Sequence, residues 1–154
     1  MLGDKNRLVV NPQIGSMYQF YYDPKHKATL PFYDRFPLVF PFAQMQKGFL
    51  GVNMHYLPPT LRAKLMDALY TVTNNHSFDN TTKLNLSYGI LSSTSKMKYF
   101  RPTVKHYLAD HVRSKFMLIH PAEWDIALWL PTARFEKMST QNVWNESRKT
   151  ISKY

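Results

Sequence analysis

Between Lys96 and Lys115 the chain gathers six cations, Lys96, Lys98, Arg101, Lys105, Arg113 and Lys115, against one acid, Asp110. Tyr99, Phe100, Tyr107 and Phe116 are interleaved with them, and His106 and His111 fall inside the run. Ammonium and guanidinium groups at this density neutralise phosphates and release condensed counterions, which gives affinity for a polyphosphate backbone without reading its sequence. An exposed Tyr99 or Phe100 would stack on a base at a single-stranded or frayed end. The plainer reading makes Tyr107, Leu108, Val112 and Phe116 core residues and the charges a solvated face.

No constellation of catalytic residues stands out beside this run. His106 and His111 are five apart and so miss the i, i+4 spacing of a helical metal pair. His55, next to Tyr56 in an apolar stretch, reads as a satisfied core or interface histidine. Glu123 and Asp125 open a helix, where acids ordinarily complement the helix dipole. Gly48-Phe49-Leu50-Gly51 lacks the form of a phosphate loop, and close packing or a bulge accounts for its glycines. The other carboxylates are scattered singly, whereas a nuclease needs acids clustered around its metals. The expectation is a protein without catalytic residues, metal or cofactor.

With 154 residues the chain is sized for one domain, and 44% hydrophobic with 15% aromatic residues is a globular composition. Cysteine is absent, which removes disulfides and thiolate chemistry together. Charged residues break every apolar stretch, so no membrane partner is expected. Met1 to Arg7 lead into no apolar segment of the kind a secretory signal needs. The net charge of +10 attracts polyanions. Most of the excess, +6, lies in residues 58–120.

The elements that must position these groups follow from the patterning. Residues 1–16, charged and punctuated by Pro12 and Gly15, read as a flexible arm, with a single basic domain over 17–154. Strands are predicted at Met17–Tyr22, Pro37–Phe42 and Phe49–Tyr56, the second short or at an edge because its two prolines lack ladder donors. Helices are predicted from Thr60 as N-cap through Asn74, at Asn80–Ser95, and at Thr103–His111, whose first turn would offer free N–H groups to a phosphate. A strand follows at Lys115–Ile119. Two more helices are predicted, one opening at Pro121 and one capped by Ser139 or Thr140. The class is α+β: a small antiparallel sheet in the N-terminal third followed by a helical C-terminal part. Arg62, Lys64, Arg148 and Lys149 lie off the apolar stripes and would extend the basic face.

Several segments carry a resemblance. They include Tyr22-Asp23-Pro24-Lys25, Leu30-Pro31-Phe32-Tyr33-Asp34-Arg35-Phe36-Pro37-Leu38-Val39, and Gly48-Phe49-Leu50-Gly51-Val52-Asn53-Met54-His55-Tyr56-Leu57-Pro58 with Leu61-Arg62. Pro102, Lys105, Tyr107, Val112-Arg113-Ser114, Trp124-Asp125-Ile126-Ala127 and Leu130-Pro131 continue the pattern. Together they resemble the DNA end protectors of T-even-like tailed phages, over most of the chain. The resemblance implies a virion protein, present in the host cytoplasm during assembly, that sits on the ends of packaged linear DNA and blocks exonuclease. On that reading Arg101, Lys105 and Arg113 grip backbone near the terminus and Tyr99 caps the last base pair. The competing reading is a structural virion component, such as a neck, portal, head-completion or baseplate connector, whose aromatic residues contact other virion proteins.

Overall fold

Tyr18, Phe20 and Tyr22 alternate with Met17, Gln19 and Tyr21, the two-residue period of an extended chain with two unlike faces. In the computed structural model, which describes residues 7–25, 27–79, 81–83, 86, 89–91, 103–129 and 133–152, that segment sits at the middle of a sheet. The strands are β1 (Leu8–Val9), β2 (Met17–Gln19), β3 (Tyr33–Asp34), β4 (Leu38–Met45), β5 (Gly48–Asn53), β6 (Val104–Leu108), β7 (Phe116–Ile119) and β8 (Phe135–Glu136). Six of them pair antiparallel in the order β1-β7-β2-β4-β5-β6, and β3 pairs with β8 in a separate ribbon.

Helices cover one face. Met17, Leu38, Phe40, Val52 and Ile119 meet Leu65 and Leu69 of α1 (Pro59–Thr73) and Trp124 and Leu128 of α2 (Trp124–Trp129). The opposite face is aromatic. Phe20 stands at its centre, with ring centroids of Phe116 and Tyr107 at 4.8 and 5.4 Å, and Tyr18, Tyr22 and Phe49 complete the cluster. Burying each such side chain contributes about 1.5–3 kcal/mol, so this cluster fixes whatever stands at its rim. A last helix, α3 (Thr140–Ser152), starts where Ser139 Oγ accepts from Asn142 N, as its capping residue type predicts. It docks through Trp144 Nε1, which donates to the His55 carbonyl.

The α+β class stands, as do the β4–β5 hairpin, the strand before Ile119, and the helices after Pro59, Pro121 and Ser139. Five expectations change. The strand expected over Phe49–Tyr56 ends at Asn53, where the Asn53 side chain accepts from His55 N and Met54–Tyr56 form a 3-10 turn. Thr103–His111 is no helix: Val104–Leu108 form β6 against β5, and a 3-10 turn occupies Ala109–His111. β4 is interior and eight residues long. β2 pairs with it only through Leu38 and Val39, so Pro41 lies beyond that pairing, its carbonyl accepts from Gly15 N, and the register shifts between Pro41 and Ala43. Pro58, not Thr60, precedes the first turn of α1, and it offers no side-chain cap. Arg62 is not on the surface but 5% exposed. Of the helix expected at Asn80–Ser95, residues 81–83 and 89–91 are helical and the remainder falls largely outside the described residues. No helix among the described residues is long and apolar enough to cross a membrane.

Candidate nucleic-acid interface

At the tip of the β4–β5 hairpin, Lys47 adopts φ 69°, a left-handed conformation that costs a side-chain-bearing residue about 1–2 kcal/mol. Its carbonyl accepts from Ala109 N at 2.8 Å, which pins the tip to the 3-10 turn after β6. Gly48 follows because a Cβ there would stand 1.9 Å from the Tyr107 carbonyl oxygen. At Gly51 a Cβ would meet Val39 Cγ1 at 2.3 Å. Close strand packing therefore explains both glycines, and the backbone positions the hairpin tip beside residues 109–116.

A groove of about 910 Å³ opens there. Lys47, Arg113 and Lys115 line it together with Val10, Met45, Phe49 and Phe116, and no carboxylate is among the described lining residues. Lys47 and Lys115 have no ion pair among the described residues. Arg113 Nη1 donates to the Asp110 carbonyl at 2.6 Å, and Nη2 stands 3.7 Å from Asp23 Oδ2. Asp23 is held below the ordinary carboxylate range, chiefly by its hydrogen bond from Lys27 and with help from the Lys27 and Arg113 charges.

Arg113 also walls a second cleft, of about 560 Å³, with Tyr21, Tyr33, Lys27 and Arg35. Tyr21 is 52% exposed and stacks on Phe36 with centroids 4.6 Å apart and planes at 25°. Its backbone is fixed from both sides: Tyr21 N donates to Ser114 Oγ at 2.9 Å, and Arg113 N donates to the Tyr21 carbonyl at 2.8 Å. An exposed, pre-stacked ring beside guanidinium groups is what base stacking needs. The acids of this cleft are paired, Glu136 with Arg35 at 3.2 Å and Asp23 with Lys27 at 2.9 Å.

A third cleft, of about 320 Å³, holds Lys105. This side chain is half-buried, with Nζ 4.2 Å from the centroid of the Tyr56 ring. Burial pulls its ammonium down to about 8. Behind the cleft, Asp34 Oδ2 accepts from His55 Nδ1 at 2.6 Å and Asn53 Nδ2 at 3.1 Å, while Oδ1 accepts from Phe36 N and Arg134 N at 3.0 and 3.1 Å. His55 is 1% exposed and serves the core, as its apolar neighbours predict. Burial alone would raise the Asp34 carboxyl, but the His55 hydrogen bond and charge and the Phe36 and Asn53 donors outweigh it and hold the group low.

Of the residues expected to bind nucleic acid, Arg113 and Lys115 meet at the groove and Lys105 stands apart in the third cleft. Lys96, Lys98, Tyr99 and Arg101 lie outside the described residues. The phosphate site expected at a helix start near Thr103 has no helix to form it. His106 is exposed on β6, and His111 Nδ1 lies 2.8 Å from the Asp23 carbonyl oxygen. Arg62 is structural: Nε donates to the Leu57 carbonyl at 2.9 Å, Nη1 donates to that of Leu128, and the guanidinium packs 5.5 Å from the Trp144 ring. Lys64, Arg148 and Lys149 are exposed and line none of the three clefts. Glu123 pairs with Arg7, and Asp125 accepts from Tyr70 Oη at 2.7 Å. Among the described residues no three acids or histidines converge to hold a metal ion.

Lys47 and Tyr21 were not singled out by the sequence. A lone lysine before a turn glycine carries no signal of its own. Tyr21 did have one: Tyr18, Phe20 and Tyr22 share a face, so the period of two turns Tyr21 the other way. Compared with known families, residues 3–148 match the family model described as Phage T4 terminal DNA protecting protein. No curated protein and no solved structure matches the chain.

Proposed function

Because the chain belongs to the phage T4 terminal DNA protecting protein family, we propose that it binds the ends of linear phage DNA, performs no chemistry there, and shields the termini from exonuclease. The observation that carries this reading is the groove, whose described walls hold Lys47, Arg113 and Lys115 and no carboxylate, Arg113 keeping its pair with Asp23 outside them. A blocker needs phosphate-binding charge and steric bulk, and needs no nucleophile, base or metal. Tyr21 stands where a terminal base or base pair would stack. Lys96, Lys98, Tyr99 and Arg101 precede β6 directly in the chain and add charge and an aromatic ring to the same reading. The protein would act in the particle and, during assembly, in the host cytoplasm.

Anisotropy of a labelled short duplex, titrated across salt concentrations, tests the binding. Three phosphates neutralised at the groove give a log–log slope of about −3. A processive exonuclease should then stall on the bound duplex while an endonuclease cutting internally does not. Undetectable binding at low salt, or degradation of the bound duplex at the free rate, would refute the proposal.

A second reading draws on α2, where Ile126 and Trp129 are 54% and 51% exposed three residues apart. Such a pair suits contact with another virion protein. A fixed copy number per particle that survives removal of the DNA would favour this structural role.

A further inference from the structure

The groove and the two clefts share walls. Arg113 lines both the groove and the middle cleft, and Tyr22 and Tyr33 line both the middle cleft and the one holding Lys105. The shared residues set the three openings next to one another. That third cleft, at about 320 Å³, is of a size that holds a small planar ligand. Phe32 and Tyr56, with centroids 6.0 Å apart, give it aromatic walls. Its loop is tied down from outside, since Lys137 Nζ donates to the carbonyls of Lys27 and Leu30 at 2.5 and 2.9 Å. Its single described carboxylate, Asp34, is already taken by His55 and Asn53. The half-buried Lys105 ammonium thus has an aromatic face beneath it and an open cleft beside it. An ammonium so placed is costly to keep charged until an anion arrives.

We propose that this cleft takes the terminal nucleotide of a DNA strand, its base against Phe32 and its phosphate on Lys105, with Lys25 and His106 at the rim. The inference rests on the end-binding reading for its ligand and gives that reading a device for telling an end from the interior of a duplex. Only a terminus can release a nucleotide into a cleft without breaking the stack on both sides. The phosphate restores the Lys105 charge, so binding near pH 8 takes up a proton.

Calorimetric titration of the full chain with a deoxynucleoside 5′-monophosphate, the matching deoxynucleoside and inorganic phosphate tests the site. The monophosphate should bind at least about tenfold more tightly than either half, and Lys105→Met and Phe32→Ala should each weaken it by about tenfold or more. If one of the two variants fails to fold, the other still reads the site. Proton uptake, read from two buffers of different ionisation heat, should vanish in Lys105→Met. Inorganic phosphate binding as tightly as the nucleotide, or nucleotide affinity unchanged in both variants, overturns the proposal. On DNA, Lys105→Met should lower affinity for open-ended duplexes to that for hairpin-closed ones, whose salt-dependent binding rests on the groove. A preference for open ends that persists in this variant removes the cleft from the mechanism and leaves the groove reading standing. Absence of all duplex binding in the unaltered protein removes the groove reading instead, and with it the DNA terminus as ligand.

Discussion

Lys105 is half-buried over the Tyr56 ring, and burial lowers its ammonium from 10.5 to about 8. In the unfolded chain the group keeps its ordinary value. Between about 8 and 10.5 the unfolded state therefore holds more protons, and this residue makes folding stability rise with pH across that window. Urea denaturation at intervals from about pH 8 to about 10.5 should show that rise, and Lys105→Met should flatten it. A slope unchanged by the substitution would mean the ammonium is well solvated. Arg62 is buried for a different purpose. Burial lowers it only to about 10, so it stays charged at neutral pH and satisfies the carbonyls of Leu57 and Leu128. Arg62→Ala strands those acceptors and should cost about 2–4 kcal/mol by chemical denaturation. Arg62→Lys should recover little of this, since an ammonium cannot span both carbonyls as the planar fork does.

The hairpin and the strands beside it set where the cations stand, and Lys47 shows a tension between stability and use. Glycine occupies a left-handed tip without the Cβ penalty, so Lys47→Gly should raise stability by about 0.5–1 kcal/mol while weakening duplex binding. Improved stability with unchanged DNA affinity would show that the lysine is incidental. Elements governed by local pattern were legible in the sequence. The apolar spacing of Leu65, Leu69 and Val72 gave α1, Pro121 opened the turn into α2, and Ser139 opened α3. β6 was not legible, because Val104, Tyr107 and Leu108 fit a helical spacing as well as an extended one. What decides for the strand is the edge of β5, some fifty residues earlier in the chain, and nothing local reports it. Arg62 reads as a surface residue for a similar reason, since the carbonyl of Leu128 that needs it belongs to another helix. The site was half legible: Arg113 and Lys115 were visible as charge, whereas Lys47 joins them only through the hydrogen bond from Ala109 to the hairpin tip.

Across the whole molecule the net charge of +10 does not by itself distinguish a binding site from a basic surface. The disposition of the acids does. Asp23, Glu123, Glu136 and Glu146 are each paired with a cation, and Asp34 is enclosed with His55. Paired cations contribute little field at a distance, and exposed charges farther apart than about 8–10 Å are screened from one another at physiological salt. The attraction a duplex feels should therefore come from cations gathered in one place with no ion pair among the described residues, of which Lys47 and Lys115 are two. Lys47→Glu with Lys115→Glu should lower duplex affinity by about 10- to 100-fold at low salt and make the salt slope shallower by about 2, with the fold unchanged. Lys64→Glu with Arg148→Glu removes the same charge from exposed helix surfaces away from the clefts, and should do far less. Equal losses in the two double variants would mean that overall charge does the binding and that the groove has no special part in it. Unequal losses, with the salt slope altered only in the first, would locate the phosphates between the hairpin tip and the start of β7.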